Sequence, residues 1–180
     1  MDVRRVVTGH DDGGKAIFVS DEQVAPIVPT LLPGNEFHRL WGGDVTPHFP
    51  DDGARPADGA YFPPVGGFRF GFFTIPPDGG AGAPPDLDFE AAMAEFEEKL
   101  PGLAGHMEPS DPGMHTTATI DFEVVVQGTV MLELDDGARV TLGVGDTVVQ
   151  NGTRHRWSNA GTEPAVLAVF ICGAQHDGVV

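Results

Sequence analysis

The sequence has 180 residues, enough for one domain with a full hydrophobic core. Its formal net charge is −17, and so acidic a chain repels phosphate backbones and anionic lipid surfaces, so we expect neither a nucleic acid nor a membrane as partner. No window reaches the roughly 18 apolar residues of a membrane span, and the start lacks the apolar segment of a signal peptide. The chain is therefore predicted to be cytoplasmic.

Residues 1–112 are predicted to form an N-terminal extension with several strands. Two strands are expected at KAIFVSD (15–21) and EFHRLWGGD (36–44). A third, GFRFGFFTI (67–75), interrupts a zone dense in Gly and Pro between residues 50 and 85. Since side chains alternate across a strand, Phe68, Phe70 and Phe72 share one face. We expect these strands to extend the sheets of the domain that follows.

One helix is predicted near residues 88–100, within DLDFEAAMAEFEEKLPG. Its apolar residues recur at helical spacing, Asp86 or Asp88 can cap its start, and Pro101-Gly102 ends it. The opposite face is acidic, which would suit a partner protein, but an amphipathic helix more often packs on its own domain. We expect it to pack on the body of this chain.

From Gly113 onwards the pattern changes to short strands joined by tight turns. The strands are predicted at TIDFEVVV, TVMLELD, ARVTLGV, TVVQ, RHRWSN and AVLAVFIC. Asp136-Gly137 is a strong hairpin signal because both central positions of a type I′ turn need positive φ. Residues 113–180 are therefore expected to form an antiparallel β-unit closed as a jelly-roll barrel, with one structural domain overall and an all-β fold class.

Two motifs in this region resemble those of the cupin superfamily. They are GMHTTATIDFEVVVQG (113–128) and GVGDTVVQNGTRHRWSN (143–159), followed by a final apolar strand. Metal-binding cupins carry two His and a Glu in the first motif, and a third His and an Asn in the second. When the motifs are aligned on Gly128, the matching positions here are His115, Thr117, Asp121, His155 and Asn159. The resemblance implies the cupin jelly roll, with extra N-terminal strands and one short amphipathic helix.

The chain also departs from the cupin pattern. Thr117 stands where the second histidine is expected, Asp121 replaces the longer glutamate, and Gln150 lies near the usual proline. Over its whole length the sequence is similar to a subgroup of single-domain bacterial cupins with no assigned reaction. That resemblance implies a fold but not a reaction.

The inward face of the barrel explains why polar residues occupy every second position of the first motif. In a closed barrel, residues of one parity line the interior, so His115, Asp121 and His155 can converge. A buried Asp needs a partner, and a divalent metal satisfies it best. Two imidazoles and one carboxylate suit Fe(II), while Zn, Mn or Ni remain open as alternatives. The competing interpretation is a polar pocket that has lost its metal.

Four further residues are expected to contact substrate or support the metal ligands: Thr117, Glu123, Gln150 and Trp157. For Trp157 a place in the core is an equal alternative, and for Gln150 a hydrogen bond to backbone at the rim. Glu123 shares the inward parity but could reach solvent. His38 is interpreted as a surface histidine. No catalytic residue is assigned.

The leading hypothesis is a metal-dependent enzyme acting on a small, oxygen-rich organic molecule. Lyase, decarboxylase, isomerase and dioxygenase chemistry all remain open, because a three-ligand metal leaves positions for substrate or dioxygen. The alternative is a non-catalytic cupin that binds or senses a small molecule without metal. Since exposed strand edges are commonly covered by pairing, we also expect a homodimer to which the N-terminal strands contribute.

Overall fold

The computed structural model describes residues 1–57, 59–80, 82 and 84–177. The last three residues of the predicted 113–180 core, and three positions of the Gly- and Pro-rich zone, lie outside the described residues. The strands are β1 (Val3–His10), β2 (Ala16–Val24), β3 (Glu36–Gly43), β4 (Phe68–Ile75), β5 (Thr119–Gln127), β6 (Thr129–Glu133), β7 (Arg139–Gly143), β8 (Thr147–Asn151), β9 (Arg156–Ser158) and β10 (Ala165–Gly173). The one α-helix of the described residues is α1 (Phe89–Lys99).

Three antiparallel sheets organise these strands. The largest has the order β3-β4-β10-β5-β8, the second β7-β6-β9, and β1 pairs with β2 alone. The hydrophobic core lies between the two larger sheets, where Val125 and Leu167 from the first meet Val130, Leu132 and Leu142 from the second. Two sheets packed over a shared core form the predicted all-β jelly roll.

The predicted strands of residues 36–44 and 67–75 join the barrel itself. β3 and β4 occupy one edge of the five-stranded sheet, and β4 pairs directly with β10. β2 instead pairs with β1, a strand that the sequence pattern did not predict. Its composition explains the omission: β1 buries alternate positions, but Arg5 and Gly9 share the inward side with Val3 and Val7 while Val6 is exposed, so its apolar residues do not alternate in the sequence.

The hairpin turn between β6 and β7 has the backbone that its sequence predicts. Asp136 and Gly137 have φ values of 56° and 71°. The Leu134 N–H donates to the Ala138 carbonyl at 2.8 Å, so the loop has three residues. The second loop residue is Asp136, and Asp is one of the few non-glycine residue types that tolerate positive φ.

Helix α1 packs on its own chain, as expected. The Asp88 carboxylate caps the start by accepting from the Ala91 N–H at 3.1 Å. Phe96 and Leu100 are buried in a cluster with Phe37 and Leu103, which brings the helix against β3. Phe89, counted in the predicted apolar face, is 63% exposed because it lies in the first turn, beyond this cluster. No helix among the described residues is long and apolar enough to cross a membrane.

Candidate functional site

A ladder of polar side chains follows the inward face of β5 and the segment before it. Thr117, Thr119, Asp121 and Glu123 are all at least 93% buried, whereas Phe122 between them is 45% exposed. The alternation follows from the two-residue period of a strand. The Thr117 and Thr119 hydroxyls are hydrogen-bonded at 2.7 Å. These four side chains therefore line the interior of the barrel, including Glu123, for which the sequence left a solvent position open.

The two carboxyls of this ladder are not fully hydrogen-bonded. Asp121 Oδ1 and Glu123 Oε2 are buried and have no hydrogen-bond partner among the described residues. Burial raises the pKa of Asp121 to about 6, and the Thr119 hydroxyl opposes this rise. Burial, followed by the negative charge of Asp121, raises the pKa of Glu123 to about 8. Two such carboxyls can hold or exchange protons near neutral pH.

Next to the ladder, His115 and His155 form a pair of adjacent imidazoles whose planes are tilted by 49°. Their ring centroids lie 4.2 Å apart. Each Nδ1 faces a backbone carbonyl, that of Gly113 at 3.1 Å and that of Thr153 at 2.9 Å. Burial lowers the pKa of His115, and burial together with His115 lowers the pKa of His155 to about 4. Both rings are therefore neutral at pH 7, with the proton on Nδ1 and the lone pair on Nε2.

The backbone and an ion-pair network hold the histidine pair in place. His115 and His155 exchange two backbone N–H···O=C hydrogen bonds, each 3.0 Å long. Arg154 and Arg156, on either side of His155, both bind Asp111, at 2.8 and 3.0 Å. Asp111 precedes His115 by four residues. Its ion pairs with Arg154 and Arg156 therefore hold the segment before His115 against the start of β9.

Gln150 and Trp157 lie beside the site, but each also makes contacts outside it. Gln150 lies opposite Asp121 in the β5–β8 register, but its amide nitrogen donates to the Thr153 carbonyl at 3.0 Å and to the Thr153 hydroxyl. It therefore holds the turn before His155. The Trp157 ring lies edge-on to His155, with centroids 6.3 Å apart, and also packs on the main core. Trp157 thus belongs both to the hydrophobic core and to the wall of the site beside His155.

The predicted three-ligand metal set is only partly assembled. His115 and His155 fit two coordination positions, because their Nε2 lone pairs are available on neighbouring rings. In the part of the chain that the structure describes, no three His, Cys, Asp or Glu side chains are grouped closely enough to hold one ion. Asp121 therefore does not join the imidazoles here. Its role as a metal ligand stays a prediction.

One residue near this site, Tyr61, was not identified from the sequence. Tyr61 lies close enough to Asp121 and Glu123 for their charges to raise the pKa of its phenol, in addition to the effect of burial, while Arg39 lowers it. Tyr61 has no motif around it and reaches the site through its contacts with Phe37 and the end of α1. Tertiary packing alone places it.

The interpretation of His38 as a surface histidine is wrong. It is 2% exposed, and burial lowers its pKa. Its outward-facing position on β3 lies near the N-terminus, whose charge also lowers its pKa. The fold therefore buries a residue that the local sequence would leave on the surface.

A pocket of about 50 Å³ lies between β3, β4 and residues 55–57, Gly59 and Tyr61. Val169 and Ile171 of β10 form part of its wall, and they are the register partners of Glu123 and Asp121. Position 71 of β4 admits no side chain, since an added Cβ would lie 2.3 Å from the His38 carbonyl oxygen, so Gly71 adds none to the pocket. Asp121 and Glu123 do not themselves line the pocket, which lies beside their neighbours on β10.

Comparison with known proteins identifies the region that carries the site. Residues 105–172 match the family model described as "Cupin domain", which is under half of the chain. This segment contains both histidines and both interior carboxyls.

Two curated fungal proteins resemble part of the chain. It is 32% identical over 88 residues to the oryzines biosynthesis cluster protein J of Aspergillus oryzae, covering 49% of this chain and 45% of that protein. It is 33% identical over 86 residues to a cupin-domain-containing oxidoreductase, srdD, of Neurospora crassa, covering 42% and 44%. The chain thus spans less than half the length of these relatives. Because they are fungal, the expected bacterial subgroup stays a prediction.

A solved structure with a similar fold is a sugar phosphate isomerase of the cupin superfamily from Silicibacter pomeroyi. Sequence identity is 16%, the alignment covers 83% of this chain and 71% of that one, and the TM-score is 0.44.

Proposed function

We propose that this chain is a cupin-type enzyme that acts on a small organic molecule inside the barrel, using Asp121 and Glu123 to bind it and to transfer protons. One observation carries this proposal: each of the two buried carboxyls has an oxygen with no partner among the described residues. Leaving a buried polar atom unsatisfied costs about 1–3 kcal/mol, so such atoms usually serve a ligand. Proton transfer of this kind belongs to isomerisation and elimination reactions.

The relatives support an enzymatic role in small-molecule biosynthesis. One is named for a biosynthesis cluster and another as an oxidoreductase. The aligned segments cover less than half of each relative, so the relatives support the class of protein and do not indicate a substrate. The carboxyls themselves supply the argument for proton transfer.

Deuterium exchange in D₂O tests the proposal without knowledge of the natural substrate. Small carbonyl compounds that raise the thermal stability of the protein are incubated with it, and loss of C–H signals beside the carbonyl is followed by NMR. We expect exchange with the parent protein and its loss in Asp121→Asn and Glu123→Gln. Glu90→Gln, at an exposed position of α1, is the control and keeps the parent rate.

Two results would contradict the proposal. Exchange at the parent rate in both carboxyl variants would remove Asp121 and Glu123 from the chemistry. Compounds that bind the parent protein but show neither exchange nor turnover would favour the alternative of a non-catalytic binding or sensory protein.

A metal-dependent reaction is the second candidate, and the arrangement of His115 and His155 favours it. The two Nδ1 atoms face backbone carbonyls, the usual arrangement when Nε2 binds a metal. A divalent ion there would supply Lewis-acid chemistry, or dioxygen chemistry in the case of iron. Elemental analysis of protein purified without chelator or nickel resin tests this: about one ion per chain supports it, and none after reconstitution contradicts it.

A further inference from the structure

Tyr61 lies beside both the pocket and the interior carboxyls. It lines the pocket together with Val169 and Ile171 of β10. These two β10 residues are the register partners of Glu123 and Asp121 on β5. Directly opposed residues of antiparallel strands have their Cβ atoms about 5 Å apart. The Tyr61 ring and the two carboxyls are therefore separated by a single layer of β10 side chains.

Ring contacts and a backbone hydrogen bond hold Tyr61 in place. Its ring lies edge-on to Phe37, with centroids 5.9 Å apart, and edge-on to Phe62, with centroids 5.0 Å apart. Its backbone N–H donates to the Pro101 carbonyl at 2.8 Å. A hydroxyl on a ring held in this way needs little rearrangement to meet a ligand.

Two arginines fix the backbone immediately before Tyr61. Arg69, which is 9% exposed, donates from Nε to the Ala60 carbonyl at 3.0 Å. Arg39 donates to the carbonyls of Gly59 at 2.8 Å and Ala60 at 3.4 Å. The two guanidinium groups thus hold the segment that carries Tyr61 against β3 and β4.

The Tyr61 hydroxyl is left as a donor for a ligand. It makes no hydrogen bond in the part of the chain that the structure describes. Burial, followed by the negative charge of Asp121, raises the pKa of the phenol well above its ordinary value. The hydroxyl therefore keeps its proton at neutral pH, and a ligand oxygen is the partner that it can bind.

We propose that Tyr61 is a further catalytic residue, whose hydroxyl donates a hydrogen bond to the carbonyl oxygen of a small hydroxycarbonyl substrate held beside the interior carboxyls. This inference rests on the proposed function, because it names another residue and the substrate class of the same site. The class follows from the unused hydrogen-bonding atoms: the phenol needs an acceptor, while Asp121 Oδ1 and Glu123 Oε2 can accept from a donor. A carbonyl with a neighbouring hydroxyl supplies both.

The hydrogen bond from Tyr61 has a defined task in proton transfer. One carboxylate removes the proton from the carbon beside the carbonyl, and the C–H electron pair forms the C=C bond of an enolate. The π electrons of the C=O bond move onto the oxygen, where the developing negative charge strengthens the bond from Tyr61. Return of the proton to the same carbon regenerates the substrate. In D₂O the carboxyl exchanges its proton with the solvent, so deuterium returns instead.

Deuterium exchange of hydroxyacetone, followed by NMR at several concentrations, tests the role of the hydroxyl. We expect Tyr61→Phe to lower kcat about a hundredfold and to change KM little, because the hydrogen bond strengthens only as charge develops. The phenylalanine ring keeps the contacts with Phe37 and Phe62. Phe62→Leu is the matched control, since it alters the packing against the same ring but leaves the hydroxyl, and it should keep kcat near that of the parent.

A second measurement observes the phenol itself. Tyr61 is the single tyrosine of the chain, so protein labelled with ¹³C at the tyrosine Cζ gives one phenol signal. We expect hydroxyacetone to shift this signal. At the same concentration, 1,2-propanediol, which has nearly the same size but no carbonyl, should shift it severalfold less. This contact requires no proton transfer.

The outcomes separate this inference from the proposed function. Exchange at the parent kcat in Tyr61→Phe, or an equal loss of kcat in Phe62→Leu, would overturn the role of the hydroxyl and leave Asp121 and Glu123 as the proton-transferring groups. A tyrosine signal that hydroxyacetone does not shift, or that 1,2-propanediol shifts equally, would overturn the contact with a carbonyl. A shifted signal without exchange in the parent would contradict the proposed function and the catalytic role together, while the contact itself would stand.

Discussion

His115 and His155 are joined twice, by two reciprocal backbone hydrogen bonds of 3.0 Å and by rings whose centroids lie 4.2 Å apart. The backbone bonds fix where the rings stand, and the carbonyls of Gly113 and Thr153 fix which nitrogen carries the proton. Both Nε2 atoms are thereby kept as acceptors. The pair can bind a metal ion or a ligand N–H or O–H group without rearrangement.

A variant series tests whether Asp121 completes a metal site with this pair. On the metal hypothesis, His155→Ala and Asp121→Asn abolish metal retention, because each removes one of three ligands. Thr117→Val keeps the metal and weakens small-molecule binding, since only a hydroxyl is lost. Elemental analysis gives the ion content per chain. Equal metal content in all three variants would rule out the triad and favour a metal-free polar pocket.

The stability of the fold should decrease as pH rises, because of Glu123. Its folded-state pKa of about 8 lies above the ordinary value of 4.5, so between these values the folded state holds a proton that the unfolded state has released. Stability is therefore greatest at low pH within this window and is lost as pH rises towards 8. Each pKa unit corresponds to about 1.4 kcal/mol, so the total loss is a few kcal/mol.

Urea unfolding at pH 5.5 and 8.5 measures this effect. Glu123→Gln, which has no proton to lose, should show a smaller decrease in stability than the parent. Part of the decrease remains in this variant because burial also raises the pKa of Asp121 to about 6. Glu90→Gln, whose carboxylate is exposed on α1, should follow the parent. The buried histidines, whose pKa burial lowers, contribute in the opposite direction in both proteins, so an equal change in the parent and in Glu123→Gln would show that Glu123 holds no proton in this range.

Most of the strands were predictable from the sequence because their signals are local. β5 buries every second residue from Thr119 to Val125, and Asp136-Gly137 marks the hairpin between β6 and β7 with the required positive φ values. β1 was not predictable, since Arg5 and Gly9 lie on its inward side and Val6 is exposed, so apolar and polar residues do not alternate in its sequence although burial does. Local periodicity thus revealed nine of the ten strands of the described residues.

The candidate site was predictable only in part. Parity along β5 placed Asp121 and Glu123 inside the barrel, and the cupin resemblance brought His115 and His155 together. Whether Asp121 joins the imidazoles depends on the path of residues 116–118, which lie outside any strand. The arginine-lined pocket depends on residues 55–57, Gly59 and Tyr61 lying against β3 and β4, and no local sequence pattern indicates that contact.

The core between the two sheets should be sensitive to loss of volume. Leu167 is 1% exposed and contacts residues of both sheets. Leu167→Ala should lower the free energy of unfolding by about 2–5 kcal/mol, because it leaves a cavity that the sheets cannot close. Leu32→Ala is the control, since Leu32 is 36% exposed and should cost within about 0.5 kcal/mol. Chemical denaturation measures both, and similar losses would place the core elsewhere.

The ion-pair network should control how firmly His115 is held beside His155. Asp111 binds both Arg154 and Arg156, so Asp111→Asn weakens two contacts at once. We expect the backbone amides of His115 and His155 to lose protection from hydrogen exchange severalfold, because their reciprocal hydrogen bonds open more often. Asp135→Asn is the matched control: Asp135 binds only Arg154 and is 67% exposed, so its loss should change protection little. Unchanged protection in Asp111→Asn would mean that the backbone bonds alone hold the pair.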